Sequence, residues 1–412
     1  MDANWRRTKS DGMGGMSGKQ ANADRGADVL TRAGRVVELL RAAAPRIEAG
    51  RALPADVLAA LHEQRLFRML LPRSLGGDEV HIKTLAQVME LIASADASTA
   101  WCLGQASGCA MAAAYMKPSV AKRLFGPADA VLAWGAGIQG KAIAVDGGYR
   151  VSGTWTFGSG CANATMLGAH CYVLEKDGTT QRMRHDGRKL DRTAIFAKSK
   201  AKVHDNWHTL GLKGTASNTY AFDDVFVPDE ETIDREAPEE RTEAGTLYSI
   251  TYTHAYAAAF SALMLGIAQG TVNDLAALAL VKTQRGAASS MKDSPMFQSQ
   301  YAVLEARLRS LRAYLHNTLD DVWKNVEKAG EMPLVERANL KLASTYVINQ
   351  GVEIVTEAYR AAGATAIFPS NPFEQRLRDA MTAGQQTQGR PINYITLGRV
   401  LLGMAPDTIL LR

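Results

Sequence analysis

The residues from Gly148 to Gly160 read Gly-Tyr-Arg-Val-Ser-Gly-Thr-Trp-Thr-Phe-Gly-Ser-Gly, an aromatic pair followed by a small hydroxyl-bearing turn. Such a segment can lay backbone and a hydrogen-bonding oxygen against a flat ring. Tyr149, Val151, Trp155 and Phe157 occupy alternate positions, so the period of two predicts a strand with both large rings on one apolar face. Gly158 and Gly160 permit close approach of a ligand to backbone, and the Ser159 hydroxyl between them can both donate and accept a hydrogen bond. A plain β-hairpin with a buried tryptophan accounts for the same residues equally well. Trp101, Gln105 and Cys109 are spaced to share one face of a helix. His254, in Tyr252-Thr-His-Ala-Tyr256 at a helix start, is either a base facing a substrate or an ordinary structural histidine. His204 and His208 stand four apart with no carboxylate in a metal motif, so no metal site is expected.

Composition limits what these groups can serve. A chain of 412 residues, 46% of them hydrophobic, can bury more than one core. Its 47 basic and 42 acidic residues are interleaved along the chain, which argues against a nucleic-acid surface despite the net charge of +5. The four cysteines, Cys102, Cys109, Cys161 and Cys171, have neither metal spacing nor a secreted disulfide pattern, so reduced thiols and a cytoplasmic location are expected. Residues 1–27 are glycine-rich and lack an apolar run, and read as a flexible tail rather than a signal peptide. The apolar run from Ala257 to Ala268 is too short to span a bilayer, so no membrane association is expected.

Three segments must position the candidate residues. Residues 28–130 show helical spacing, with a break at Leu71-Pro-Arg-Ser-Leu-Gly-Gly77 and a helix start at Asp96-Ala-Ser-Thr. Residues 131–235 change to short β-type runs between Gly and Asp turns, a middle β domain. Residues 236–412 return to long helices, several apolar on more than one face, which predicts a helical bundle covered by other helices or other subunits.

The order helices, β domain, helical bundle resembles the acyl-CoA dehydrogenase superfamily across about residues 28–412. Leu70-Leu-Pro-Arg-Ser-Leu-Gly-Gly77 is similar to the family's end to its second helix. Gly211-Leu-Lys-Gly-Thr-Ala-Ser217 followed by Phe222-Asp-Asp-Val-Phe-Val-Pro228 resembles its signature closing the β domain, and Tyr359-Arg-Ala-Ala-Gly363 with Arg378-Asp379 its C-terminal part. The resemblance implies an α+β fold with an N-terminal helical domain, a middle β-barrel or sandwich and a C-terminal four-helix bundle, assembled as a homotetramer.

Within the superfamily, the resemblance favours the two-component monooxygenases over the dehydrogenases. Many dehydrogenases carry a catalytic glutamate at the position of Ser370, and a serine without an activating partner cannot abstract an α-proton as a carboxylate does. The monooxygenase branch takes reduced FAD or FMN from a separate NAD(P)H-dependent flavin reductase and forms a C4a-hydroperoxyflavin with oxygen. Its implied activity here is oxygenation of a small aromatic or heteroaromatic, indole-like compound. By that resemblance Ser159 is the catalytic partner of flavin N5, Trp155 and Phe157 wall the isoalloxazine, and Thr215 and Ser217 line the cavity. Arg285 and Gln300 resemble residues that meet the flavin phosphates, often across a subunit boundary.

Trp101, Gln105, Cys109, His254 and Gln386 are then the substrate-side candidates. Phenol-hydroxylating relatives have histidines where this chain has Cys109 and Gln386, which points away from a phenol needing a base. An electron-rich heteroaromatic needs orientation instead, which the Gln386 amide can supply. Arg378 and Asp379 read as a structural ion pair. The alternatives are an acyl-CoA dehydrogenase or oxidase with tightly bound FAD, and a non-catalytic scaffold of the same fold.

Overall fold

The computed structural model of the chain describes residues 18–412 except 236, 284–285, 287–288, 408–410 and 412, with side chains described from residue 25. Helices α1 (Gly18–Gly34), α2 (Val37–Gly50), α3 (Ala55–Glu63), α4 (Ile82–Ala93), α5 (Ala97–Ala110) and α6 (Pro118–Phe125) come first. The helix α1 already begins at Gly18, so the expected tail is corrected for residues 18–27; residues 1–17 lie outside the described part.

Eight strands follow: β1 (Leu132–Trp134), β2 (Gly140–Val145), β3 (Gly148–Gly158), β4 (Met166–Leu174), β5 (Asp191–Ala197), β6 (Lys202–His204), β7 (Asn218–Pro228) and β8 (Thr232–Ile233). They form one mixed sheet in the order β6-β7-β3-β2-β4-β5-β8, with β1 added in parallel to β4. The β2–β4 pair is also parallel and the remaining pairs are antiparallel.

The last segment holds α7 (Tyr252–Val281), α8 (Pro295–Ala329), α9 (Leu334–Ala362), α10 (Phe373–Gly384) and α11 (Asn393–Leu401). The start of α8 is set locally, with Ser294 accepting from the Phe297 amide and Pro295 in the first turn. Gly330, in the left-handed region at φ 76°, closes it. The helix α7 has the length and apolarity of a membrane span, but it packs against α4, α5, α8, α9 and α10, and most of its side chains are buried. It is the spine that joins the two helical segments.

The helix α5 shows why this interior can close tightly. Asp96 caps it by accepting from the Thr99 amide at 2.6 Å. Its Ala, Ser and Gly residues let α7 approach: a Cβ at Gly108 would lie 2.3 Å from the Tyr256 ring.

The strand β3 departs from its expected geometry at the decisive point. Trp155 opposes Tyr220 and Gly158 opposes Asn218, so β3 holds an extra residue between them, and Phe157 sits in the left-handed region at φ 57°. The extra residue breaks the alternation. Trp155 is 0% exposed while Phe157 is 60% exposed, so the two rings do not share a face. Trp155 packs under glycines: a Cβ at Gly140 would lie 2.2 Å from its ring, and one at Gly153 2.7 Å. Its indole N–H donates to the His170 carbonyl at 3.0 Å. The expectation that Trp155 walls a flavin is corrected, because it is a core side chain closed off by backbone.

Candidate flavin and substrate site

The turn after β3 meets α5 and the loop before β7 in a file of hydroxyls. The Trp101 indole N–H donates to Ser159 Oγ at 3.0 Å. Ser159 Oγ and Ser217 Oγ are 2.7 Å apart, as are Ser217 Oγ and Thr215 Oγ1, and Thr215 Oγ1 donates to the Leu212 carbonyl at 2.8 Å. An indole N–H can only donate and a carbonyl can only accept, so the two ends fix the direction of every proton between them. Thr215 gives its proton to Leu212, Ser217 to Thr215, and Ser159 to Ser217. Ser159 Oγ therefore accepts from Trp101, donates to Ser217 and keeps one lone pair open.

Backbone and ionic ties hold this file in place. The Gly160 amide donates to the Thr215 carbonyl at 2.9 Å, joining the β3 turn to the 213–217 segment. Leu212 and Ala216 occupy the left-handed region at φ 50° and 42°, which folds that segment into a tight turn. The Leu212 amide donates to Asp379 at 2.6 Å, and Arg378 donates to the Leu210 carbonyl at 2.9 Å. Arg378 pairs with Glu48 at 2.7 Å and Glu374 at 2.6 Å, so the expected Arg378–Asp379 ion pair is corrected. Each of the two residues grips the 210–212 loop separately. Burial pushes the Asp379 carboxyl up to about 7, and the Leu212 amide pulls the other way.

The substrate-side candidates sit on α5 and α7. Trp101 stacks on Phe260 with ring centroids 4.2 Å apart, and Phe260 stacks in turn on Tyr256 at 5.6 Å. Gln105 Nε2 reaches the Tyr256 hydroxyl at 3.3 Å, and Cys109 Sγ and the Trp134 carbonyl at 3.5 Å each. These contacts hold the amide between α5, α7 and β1. Burial pushes the Cys109 thiol up to about 12, which leaves it a neutral thiol and not a base. Phe157 is exposed, and Trp207 packs edge-on against it at 5.9 Å, giving an aromatic surface beside the Ser159 turn.

Other sequence candidates are placed elsewhere. Thr215 is fully buried with both hydroxyl contacts used, so it positions Ser217 and does not line a cavity. His254 is also fully buried, with Nδ1 2.6 Å from Thr251 Oγ1 and Nε2 3.1 Å from the Arg337 carbonyl. Burial drives its pKa down to about 3. Both ring nitrogens are satisfied by structure, so the substrate role expected for His254 is corrected. Gln386 Oε1 accepts from the Gln388 amide at 2.7 Å, while its Nε2 is buried without a partner among the described residues. Gln300 lies on an exposed face of α8, and Arg285 lies outside the described residues. Sequence reasoning missed Tyr256 and Phe260; their spacing of four along α7 was the available signal.

The residues fit a reduced flavin on chemical grounds. Reduced flavin carries an N5–H donor, which matches the open acceptor on Ser159, whereas oxidised N5 is an acceptor and meets no free proton there.

Comparison with known proteins agrees with the fold. Residues 5–124 match the acyl-CoA dehydrogenase N-terminal domain model and residues 258–390 the C-terminal domain model. Indole-3-acetate monooxygenase of Pseudomonas putida is 27% identical over 86% of this chain and 89% of its own length. The oxygenase subunit HsaA of a flavin-dependent monooxygenase from Rhodococcus jostii is 25% identical over 85% of this chain and 92% of its own. The structure of XiaF from a Streptomyces species, in complex with FADH2 and glycerol, superposes with a TM-score of 0.85 at 20% identity, covering 95% of this chain and 98% of that one. The chain belongs to the acyl-CoA dehydrogenase superfamily, in its branch of two-component flavin-dependent monooxygenases.

Proposed function

We propose that the protein is the oxygenase component of a two-component system, taking reduced FAD or FMN from a separate reductase to oxygenate a small aromatic, indole-like substrate. The observation that carries this reading is the wiring of Ser159, whose hydroxyl is held as an acceptor by Trp101 on one side and Ser217 on the other. Bound reduced flavin supplies the activation of dioxygen. The chain's part is to hold the flavin edge at Ser159, to exclude water with Trp101, Phe260 and Tyr256, and to orient the substrate with Gln105. Thr215 positions Ser217, Phe157 borders the ring, and Ser217 keeps the Ser159 proton turned away.

The indole-type preference is supported by the two positions where a base was expected, neither of which holds one: Cys109 is a neutral thiol, and Gln386 offers only an amide donor. A homotetramer is supported by the exposed apolar side chains Ile392, Ile395, Leu401 and Leu402 on and flanking α11. In such an assembly Gln300 and Arg285 serve a neighbouring subunit's flavin. We place the oxygenase in the cytoplasm, where its thiols stay reduced.

The test is single-turnover mixing of the protein and reduced flavin with oxygen and a panel of indoles and phenols, read by product mass. A gain of one oxygen atom in an aromatic product supports the reading. Flavin oxidation with no oxygenated product, or loss of hydrogen from an acyl-CoA, overturns it.

A further inference from the structure

The residue Arg235 follows β8 and has no part in the site described above. Its guanidinium lies over the Trp134 ring at 5.7 Å and the Tyr252 ring at 5.9 Å. Those two rings lie 5.7 Å apart, tilted by 59°, with Tyr115 beyond Tyr252 at 5.8 Å and His170 edge-on to Trp134 at 5.0 Å. The carboxylates nearby are largely taken. Arg184 holds Asp234 at 2.5 Å and Asp191 at 3.2 Å, and Arg235 reaches only Asp191, at 4.0 Å, beyond hydrogen-bond length.

Two donors in this enclosure have no partner among the described residues. Arg235 Nε is buried without a hydrogen bond, and so is the hydroxyl of Tyr252, a residue 5% exposed. A buried donor left unmade is costly, and two within one aromatic enclosure point to an acceptor that arrives with a ligand. The enclosure adjoins the substrate-side cluster. The carbonyl of Trp134 is the one that Gln105 reaches, and the positive charge of Arg235 acts on Cys109, Tyr252, Tyr256 and His170.

We propose that Arg235 and Tyr252 form an anion subsite at the edge of the aromatic cluster formed with Trp134, and that the substrate is an aromatic acid whose carboxylate docks there. This rests on the reading of the protein as an oxygenase of aromatic compounds and narrows its substrate class. The guanidinium presents a planar fork that matches two carboxylate oxygens, and the Tyr252 hydroxyl adds a third donor. The aromatic walls strengthen the pairing by excluding water and receive the ring of the same ligand.

The test is calorimetric binding to the full-length protein, anaerobically and with reduced FAD present. Benzoate, phenylacetate and indole-3-acetate are compared with their carboxamides and with phenol. The wild-type protein is expected to bind at least one acid about ten- to a hundredfold more tightly than its amide. Arg235→Met is expected to abolish that ratio by weakening acid binding far more than amide binding, and Arg235→Lys to keep part of it. Tyr252→Phe is expected to weaken acid binding while raising the melting temperature, because it removes an unsatisfied hydroxyl; that readout stands even if Arg235→Met fails to fold. An acid-to-amide ratio of one in the wild type, absence of any acid binding, tighter binding of phenol than of every acid, or a ratio unchanged in both Arg235→Lys and Tyr252→Phe overturns the proposal. Oxygen incorporation into a neutral indole together with a ratio of one would refute the subsite while leaving the oxygenase reading standing.

Discussion

Replacing Ser159 by alanine tests the proton order of the hydroxyl file directly. The substitution leaves the Trp101 N–H without its acceptor and Ser217 without its donor, in a region where Ser217 is 3% exposed. Two lost hydrogen bonds at about 1 kcal/mol each, with some penalty for the orphaned indole N–H, give a destabilisation of about 2 to 3 kcal/mol. Unfolding entropy of about 2.1 cal/mol/K per residue over the 412 residues converts this to a melting shift of about 2 to 3 °C.

The more telling effect is on flavin binding. Reduced flavin loses the acceptor for its N5–H, worth about 1 to 1.5 kcal/mol, so its affinity should fall about five- to tenfold. Oxidised flavin receives no proton from Ser159 in the wild-type wiring, so its affinity should not change. Anaerobic titration of both redox forms, with hydrogen peroxide released per reduced flavin as a second readout, checks this. Equal weakening of both forms, or a variant that binds reduced flavin as tightly as the wild type, would refute the assigned proton direction.

Other outcomes follow from particular contacts. Gly108→Ala should destabilise the protein by about 1 to 3 kcal/mol and weaken substrate binding, because the new methyl meets the Tyr256 ring at 2.3 Å; wild-type melting would contradict the packing argument. Asp379, with its carboxyl raised to about 7 when folded, holds a proton between about pH 4 and 7 that the unfolded chain releases. Its contribution therefore makes stability fall as pH rises through that window, by up to about 1.4 kcal/mol per unit, and Asp379→Asn should flatten that part of the curve measured by denaturant titration. His254, lowered to about 3, acts in the opposite sense: the unfolded chain takes up a proton below about pH 6.5 that the folded one refuses. Stability from this residue is complete above that pH and is lost toward pH 3, so His254→Gln should reduce acid sensitivity while leaving the pH dependence of substrate binding unchanged. A shift in that binding profile would restore His254 to the substrate side.

Much of the molecule was legible in one dimension. Helical spacing and the glycine-bounded apolar runs set the order of helices, sheet and helices, because each depends on local periodicity and turn chemistry, and the Gly211 to Pro228 segment added a resemblance to a known family. Ser159 was legible as a turn residue, since a small polar residue between glycines announces a turn that can approach a ligand, whereas Ser217 came only from the family resemblance. Only the tertiary structure decided which way side chains face and which partners they choose. One extra residue in β3 buried Trp155 and exposed Phe157, against an alternation that assumes an unbroken pleat. Arg378 chose Glu48, far from it in sequence, and His254 spent both nitrogens on Thr251 and Arg337. The partnerless donors of Arg235 and Tyr252 exist only because distant segments enclose them. Periodicity is a property of neighbours along the chain, whereas hydrogen-bond satisfaction is a property of the packed interior, and the candidate site is defined by the second.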